Sequence, residues 1–184
     1  MHLVEQTLNS KTAYSGKIFT IKTDTVTLPN KKTATRELAL KQNATCVIAI
    51  TKSKKIILVN QYRYAVKRCL WEVPAGKMDS NETPLHCAKR ELLEETGFKS
   101  NNWTKIGLTA PCPGFCNELI HIFFAKNAFK VCEPKPDPDE FVETHLFDFN
   151  EIVQQAAYGQ IIDSKTTCSI LRTHFLILNN TLQI

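Results

Sequence analysis

The stretch from Thr83 to Gly97 carries the boundary signals of a helix at both of its ends. Thr83 is a good N-cap residue, Pro84 suits the first helical position, and Gly97 suits the left-handed position after the last turn. The sequence therefore predicts one helix whose ends are fixed locally. The apolar residues that recur at helical spacing on one side, and that should face a core, are Leu85, Ala88 and Leu92.

Strand patterns dominate the sequence before this helix. Three segments alternate apolar and polar residues, and two more are apolar runs on either side of a polar turn. The first group predicts a small antiparallel meander, and the second group predicts a hairpin buried in a core. In chain order the segments are 17–22, 24–28, 33–40, 45–50 and 56–60.

The sequence after the helix adds a strand, an acidic loop and two further helices. Leu119 to Ala125 is strand-like, whereas the prolines at every second position of residues 134–139 exclude both helix and strand. Asn150 is expected to cap a helix that ends near Tyr158, and residues 164–178 predict a last amphipathic helix. Strands mixed with helices, without a regular alternation, predict an α+β architecture.

The composition fits an ordinary globular domain. The 184 residues are 43% hydrophobic and 22% charged, which excludes a disordered, collagen-like or coiled-coil chain. The 23 Lys and Arg against 18 Asp and Glu give a formal charge of +5, scattered along the sequence. A nucleic-acid-binding tail is therefore not expected.

Seven cysteines are spread through the chain without a Cys-x-x-Cys pair. The nearest spacing, Cys112 to Cys116, lacks a second pair of ligands, so reduced thiols are favoured over the alternative of a zinc site. Residues 1–11 hold no apolar signal-peptide core, and no apolar stretch has the length of a membrane span. We therefore expect a cytoplasmic protein with no membrane partner.

The helix concentrates carboxylates where they are unfavourable. Glu91 and Glu95 lie one turn apart on one face, where like charges repel, and Glu94 joins them near the C-terminal end, where the helix dipole disfavours anions. A solvated charged helix is the alternative reading. Three carboxylates placed against both rules instead favour an offsetting cation, and their hard oxygens suit Mg²⁺ or Mn²⁺.

These residues belong to a longer pattern. The stretch from Gly76 to Phe98 resembles the Nudix box, Gly-x5-Glu-x7-Arg-Glu-U-x-Glu-Glu-x-Gly-U, where U is aliphatic or aromatic, and every specified position matches. The resemblance implies a loop, helix and loop packed against a mixed β-sheet that is sandwiched between helices. It also implies hydrolysis of a nucleoside diphosphate linked to another group.

The resemblance assigns roles within the box. Glu95, Glu94 and Arg90 are the implied catalytic residues, and Arg90 is expected to orient the glutamates. Glu82 is expected to anchor the loop. The implied metal ligands are Glu91, Glu95, Glu94 and the backbone carbonyl of Ala75.

Features outside the box resemble the ADP-ribose pyrophosphatase branch of this family. Residues 61–64, 72–76, 16–19 and 36–37 match it, and so does the loop 113–118, although Cys112 replaces the usual serine. Each feature alone has an ordinary structural explanation, and the ordered combination favours the branch. The implied substrate contacts are Arg63 for phosphate, Arg36 and Glu72 for adenine or ribose edges, Phe19 for base stacking, Glu118 for the terminal ribose or a metal-bound water, and Pro113 in the loop.

The general base is expected in the acidic loop. Similar enzymes carry it after the strand that follows the proline loop, which here corresponds to residues 137–140. Glu140 and Asp139 are the candidates, and Asp137 is the third choice. An ordinary acidic turn is the alternative.

The resemblance also predicts how the chain is divided and assembled. Residues 1–42 are expected to form a meander for dimerisation and substrate binding, and residues 43–184 the Nudix domain. A homodimer that exchanges the meander is expected, and a monomer is the alternative. The expected reaction is Mg²⁺-dependent hydrolysis of ADP-ribose to AMP and ribose 5-phosphate. The alternatives are another substrate, such as GDP-mannose or a dinucleoside compound, and a non-catalytic ADP-ribose sensor.

Overall fold

A computed structural model describes residues 3–138 and 140–184. The chain divides into two compact units. The first unit comprises Met1–Asn43 and Ala110–Leu119, and the second comprises Ala44–Thr109 and Ile120–Ile184. Each unit has its own sheet, and the two are described separately below.

The first unit is built on a three-stranded antiparallel sheet. Its strands are β1 (Gln6–Ser15), β2 (Thr20–Thr27) and β3 (Thr33–Leu40), with β2 in the centre. The predicted meander is confirmed for β2 and β3, but its expected start at residue 17 is wrong, because residues 16–19 form the turn into β2. The sequence pattern missed β1, whose ten residues are all exposed and therefore show no buried-face alternation.

The second unit contains an eight-stranded mixed sheet and three helices within the described residues. Its strands are β4 (Ala44–Thr51), β5 (Lys55–Arg63), β6 (Arg68–Glu72), β7 (Ala75–Lys77), β8 (Phe98–Lys99), β9 (Asn102–Thr109), β10 (Ile120–Lys130) and β11 (Val142–Asp148); its helices are α1 (Pro84–Thr96), α2 (Phe149–Ala157) and α3 (Ser164–Leu178).

The centre of this sheet follows the order β11, β5, β4 and β10. β10 runs parallel to β4, with Ile120 opposite Ala44, and the other pairings are antiparallel. β6 pairs with β5, β7 with β4, and both β8 and β9 with β10. The predicted hairpin is therefore confirmed, and it supplies the two middle strands.

Helices cover both faces of this sheet. On one face, Ala88 and Leu92 of α1 pack with Val47 and Ala49 of β4. On the other face, residues of α2 and α3, including Ile152, pack against alternate residues of the same strand. A strand that is covered on both sides must be apolar throughout, which explains the continuous run in β4. The predicted α+β sandwich with an N-terminal antiparallel meander is confirmed.

The helices follow the local sequence signals except at Leu85 and at the cap of α2. Thr83 accepts a hydrogen bond from the His86 amide, and Gly97 has a φ of 73°, as predicted. Leu85 is exposed rather than in the core, because the buried stripe of α1 runs through Glu91 and Glu95. The cap of α2 is Asp148 rather than Asn150. None of the three helices in the described part is long and apolar enough to span a membrane.

Candidate active site

The carboxylate of Glu91 lies directly against the backbone of Gly76. A Cβ atom built on Gly76 would come within 1.9 Å of Glu91 Oε1, so any side chain there would displace the Glu91 carboxylate. The glycine that opens the box, in β7, thus leaves the space that a carboxylate from α1 occupies.

Glu95 is fastened to the same short strand. Its Oε2 accepts the Ala75 amide hydrogen at 3.0 Å, and only 4% of the residue is exposed. This hydrogen bond places the carboxylate beside the residue whose carbonyl oxygen is the implied backbone ligand. The two glutamates of one helix face thus converge on Ala75 and Gly76.

Burial makes both carboxylates, Glu91 and Glu95, harder to ionise. It raises the pKa of Glu95 to about 8, and the charges of Glu91 and Glu140 add to the effect. Burial also raises the pKa of Glu91 to about 7, although Arg90 opposes the shift. Two carboxylates that are costly to ionise together have the electrostatics of a cation site.

Arg90 is the hub that joins the box loop to the box helix. Its Nη1 donates to Glu91 Oε1 at 2.7 Å and to Glu94 Oε2 at 3.0 Å. Its Nε and Nη2 donate to the two oxygens of Glu82, and Nη2 also reaches the Lys77 carbonyl. Glu82 further accepts the Asp79 amide hydrogen, and Arg90 holds the pKa of Glu82 well below its usual range. This network fits the predicted orienting role of Arg90 and the predicted anchoring role of Glu82.

The acidic loop is tied to the C-terminal end of α1 on both of its sides. The Lys135 amide donates to the Glu94 carbonyl at 2.7 Å, and Thr144 Oγ1 donates to the Glu95 carbonyl at 3.0 Å. These bonds satisfy carbonyls that a helix end leaves without partners. They hold the half-buried Glu140 where its charge raises the pKa values of Glu91 and Glu95.

The two aspartates of the acidic loop were the other candidates for the base. Asp137 accepts the Glu140 amide hydrogen through its backbone carbonyl at 2.9 Å. The candidate base Asp139 lies outside the described residues.

Arg63 and Glu72, two of the predicted substrate contacts, form one ion pair. Arg63 Nε donates to Glu72 Oε1 at 2.6 Å, and Arg63 Nη2 donates to Oε2 at 2.7 Å. Lys165 of α3 donates to the same Oε2 and to Asp163 Oδ2. Arg63 and Lys165 also interact electrostatically with Glu95, so this ion-pair cluster is coupled to the two glutamates near Ala75 and Gly76.

The remaining predicted contacts lie in the first unit. Phe19 and Glu118 line one cavity of about 670 Å³, and Glu118 pairs there with Lys41 at 2.7 Å. Arg36 does not line this cavity and forms a bidentate pair with Glu5 instead. Pro113 lies in the segment 110–119, which bonds to β3 through the Ala39 amide and the Phe115 carbonyl, but it is not a lining residue.

The donor set fits a hard divalent cation. Within the described ranges, no three His, Cys, Asp or Glu side chains already stand together as a complete ligand set. Mg²⁺ nevertheless takes few protein carboxylates and keeps several waters, so Glu91, Glu95 and the Ala75 carbonyl provide enough oxygens. Burial raises the pKa of both carboxylates, so a bound cation would offset the cost of ionising them.

Sequence reasoning missed several residues that support the site. Lys165 lies 93 positions from Glu72, and Thr144 lies 49 positions from Glu95, so neither contact has a local signal. Asp163 followed by Thr166 is a helix-cap pattern that could have signalled the start of α3, but it carries no sign of the ion pairs.

Comparisons with known proteins agree with this geometry. The NUDIX domain family matches residues 40–168, and the nucleoside diphosphate sugar hydrolase N-terminal domain matches residues 5–38. A crystal structure of an ADP compounds hydrolase superposes with a TM-score of 0.85 at 17% identity, covering 99% of this chain and 100% of that one. At this identity the superposition shows a shared fold.

Three relatives illustrate the range of named activities. An ADP-ribose pyrophosphatase of Bacillus subtilis is 35% identical over 98% of this chain and 97% of its own length. A methanol dehydrogenase activator of Bacillus methanolicus is 36% identical over 90% of each chain. A GDP-mannose pyrophosphatase of Cronobacter sakazakii is 32% identical over 71% of this chain and 73% of its own. With the complete box on β7 and α1 and a family match over residues 40–168, this chain belongs to the Nudix hydrolase family.

Proposed function

We propose that this protein hydrolyses ADP-ribose to AMP and ribose 5-phosphate with Mg²⁺, which Mn²⁺ can replace. The observation that carries the proposal is the pair of buried carboxylates, Glu91 and Glu95, fastened to the backbone of Ala75 and Gly76. The match of residues 5–38 to a nucleoside diphosphate sugar hydrolase domain supports the substrate class.

The metal is assigned to Glu91, Glu95, Glu94 and the Ala75 carbonyl. When bound, Mg²⁺ supplies charge neutralisation for the diphosphate and acidifies a water molecule. In the reaction, a water oxygen bonds to one phosphorus and the bridging P–O bond of the anhydride breaks. The two phosphate products keep the adenosine and the ribose, respectively.

Protein side chains position the remaining participants. Arg90 donates to Glu91 and Glu94 through one guanidinium nitrogen, Nη1, which fixes the carboxylates relative to the box loop. Glu140, with Asp139 as the second candidate, accepts the proton of the attacking water. Arg63 faces the diphosphate, because its outer edge is exposed while its inner edge holds Glu72.

The adenosine end is assigned to Arg36 and Phe19, and the terminal ribose end to Glu118 and Pro113. Glu72, which the resemblance also places at the adenosine end, is 2% exposed and paired through both oxygens with Arg63 and Lys165, so we assign it to holding Arg63. The shared cavity of Phe19 and Glu118 supports a binding role for the first unit. We further propose a homodimer in which residues 1–42 complete the partner's site. The exposure of β1 along its whole length supports a covering partner.

A cytoplasmic location is part of the same proposal. The seven cysteines are free thiols, and this state is typical of a reducing compartment.

The relatives named for GDP-mannose hydrolysis make that nucleotide sugar the second candidate substrate. A panel of ADP-ribose, GDP-mannose, another ADP-sugar and a dinucleoside diphosphate compound, each with Mg²⁺ and with chelator, distinguishes the two. We expect the highest kcat/KM for ADP-ribose and no turnover with chelator. A higher kcat/KM for GDP-mannose would overturn the substrate assignment, and binding without turnover would make the protein a sensor.

A further inference from the structure

The first turn of α3 carries Lys165, which contacts the Glu72 carboxylate from inside the protein while Arg63 contacts it from the more exposed side. Only 2% of the Glu72 side chain is exposed, and both of its oxygens accept hydrogen bonds, Oε1 from Arg63 and Oε2 from Arg63 and Lys165. Lys165 is 11% exposed, whereas Arg63 is 43% exposed. The cluster therefore has a buried cation, a buried carboxylate in the middle, and an accessible cation at its outer end.

The charges explain why the buried cation matters. Burial raises the pKa of Glu72, but the hydrogen bond from Arg63 and the charge of Lys165 lower it below its usual value. Lys165 keeps its own proton because Glu72 and Asp163 outweigh its burial. Removing Lys165 would leave Arg63 to neutralise a buried carboxylate alone, and it would reduce the positive potential that an anion meets.

The hydrogen bonds to Glu72 use only one edge of the Arg63 guanidinium. Arg63 donates one hydrogen from Nε and one from Nη2 to Glu72, so three of its five N–H groups are left for other acceptors. The Glu72 carboxylate occupies one edge of the guanidinium, and 43% of the Arg63 side chain stays exposed. A planar guanidinium held in this way binds a phosphate through paired hydrogen bonds.

The same turn of α3 also fixes the backbone beside Glu72. Thr166 Oγ1 accepts the Val73 amide hydrogen at 2.9 Å, next to Lys165 on Glu72. Asp163 caps the helix by accepting the Thr166 amide hydrogen. The start of α3 and the glutamate site thus grip the segment 72–75 from two sides.

We propose that Lys165 is a positioning residue for substrate binding, which acts by holding Glu72 so that Arg63 presents its free edge to the diphosphate. The proposal rests on the proposed function, because it takes Arg63 to bind phosphate. It assigns Lys165 to binding rather than to the chemical step, and it makes its effect depend on Arg63.

The test compares Lys165→Met and Lys165→Arg with wild type, and uses Lys130→Met, at an exposed ion pair with Glu133, as the matched control. Inorganic pyrophosphate and ADP-ribose are titrated calorimetrically in chelator, and ADP-ribose hydrolysis is measured with Mg²⁺. For Lys165→Met we expect Kd and KM to rise about 10- to 100-fold, with kcat changing less than about 3-fold. Lys165→Arg should recover most of the binding, and Lys130→Met should match wild type.

A double-variant cycle separates positioning from general support of the fold. If Lys165 acts through Arg63, then Lys165→Met should change pyrophosphate affinity little in an Arg63→Ala background. An equal loss in both backgrounds, or an unchanged Kd and KM in Lys165→Met, would overturn the proposal. If Lys165→Met does not fold, Glu72→Gln combined with Lys165→Met removes both buried charges together, and wild-type pyrophosphate affinity in that double variant would overturn it.

The outcomes for this proposal and for the function are distinct. If pyrophosphate binding depends on Lys165 and Arg63 while ADP-ribose is not hydrolysed, the positioning role stands and the substrate assignment fails. If ADP-ribose is hydrolysed with a KM that ignores Lys165, the function stands and this proposal fails.

Discussion

At the scale of single residues, the site holds two carboxylates, Glu91 and Glu95, where burial makes their ionisation unfavourable. Glu91 and Glu95 are buried in a helix that positions them with one arginine and one amide hydrogen, and neither contact restores ordinary acidity. Without a cation, burial therefore favours the protonated form of both carboxylates. This condition has a direct consequence for stability.

We expect the metal-free protein to lose stability as the pH rises. The pKa values of Glu91 and Glu95 lie above the ordinary value of 4.5, at about 7 and about 8. Between pH 4.5 and about 7 to 8, the folded state therefore binds more protons than the unfolded state. The stabilisation that these two groups provide is complete below pH 4.5 and is lost as the pH rises through about 7 and 8. Urea unfolding in chelator from pH 5 to pH 9 (roughly the range spanned by these groups) measures it.

The matched variants are Glu95→Gln and Glu133→Gln. Glu95→Gln should flatten the fall in the free energy of unfolding, whereas Glu133→Gln, at a side chain that is 83% exposed, should leave it unchanged. Equal slopes in wild type and Glu95→Gln would contradict the raised pKa of Glu95.

The base assignment is tested at the acidic loop. Glu140→Gln or Asp139→Asn should lower kcat by about two to four orders of magnitude with little change in substrate affinity, as expected for a group that moves a proton. The effect should be measured as kcat and KM over a range of pH. If neither variant nor the double variant loses more than a few-fold in kcat, the base lies elsewhere, and Glu118 becomes the next candidate.

At the scale of elements, β7 and α1 pack closely where Gly76 meets the Glu91 carboxylate. Gly76 and Glu91 occupy one space, so Gly76→Ala must displace the carboxylate. We expect kcat/KM to fall about 100-fold, the cost of a displacement of about 1 Å, and the Mg²⁺ concentration for half-maximal rate to rise. Gly114→Ala, where a Cβ meets nothing within 4 Å, is the control for the free energy of unfolding and for Mg²⁺ dependence, but not for KM, because it lies in the loop assigned to the substrate. Wild-type Mg²⁺ dependence in Gly76→Ala would contradict the claim that Gly76 leaves space for a metal-binding Glu91 carboxylate.

The elements also show what a sequence can reveal. Thr83 and Gly97 set the ends of α1 through contacts within a few positions, so these ends were predictable. β1 was not, because a strand exposed on both faces has no apolar alternation. Leu85 was wrongly placed in the core because the pattern assumed that apolar residues fill the buried face, which carboxylates share here. The support from Lys165 joins distant segments, and only the folded structure brings them together.

At the scale of the whole molecule, the proposed exchange of residues 1–42 predicts shared sites. An Arg36→Ala chain, expected to bind substrate poorly, is co-assembled with an inactive Glu95→Gln chain. Because one site of a mixed dimer then carries both lesions and the other carries none, part of the activity should return. Verified heterodimers without recovery, or a monomeric mass by light scattering, would contradict the exchange.

The central claim is that Glu91 and Glu95 hold the metal that hydrolyses the substrate. A single-turnover reaction of ADP-ribose with excess enzyme, with Mg²⁺ or chelator and with the products separated by chromatography, tests it most directly. Wild type should form AMP and ribose 5-phosphate in equal amounts only with Mg²⁺, and Glu95→Gln should be slower by at least about 100-fold while keeping its fold, since it loses a metal ligand. Equal rates for Glu95→Gln and wild type, or turnover in chelator, would contradict the account.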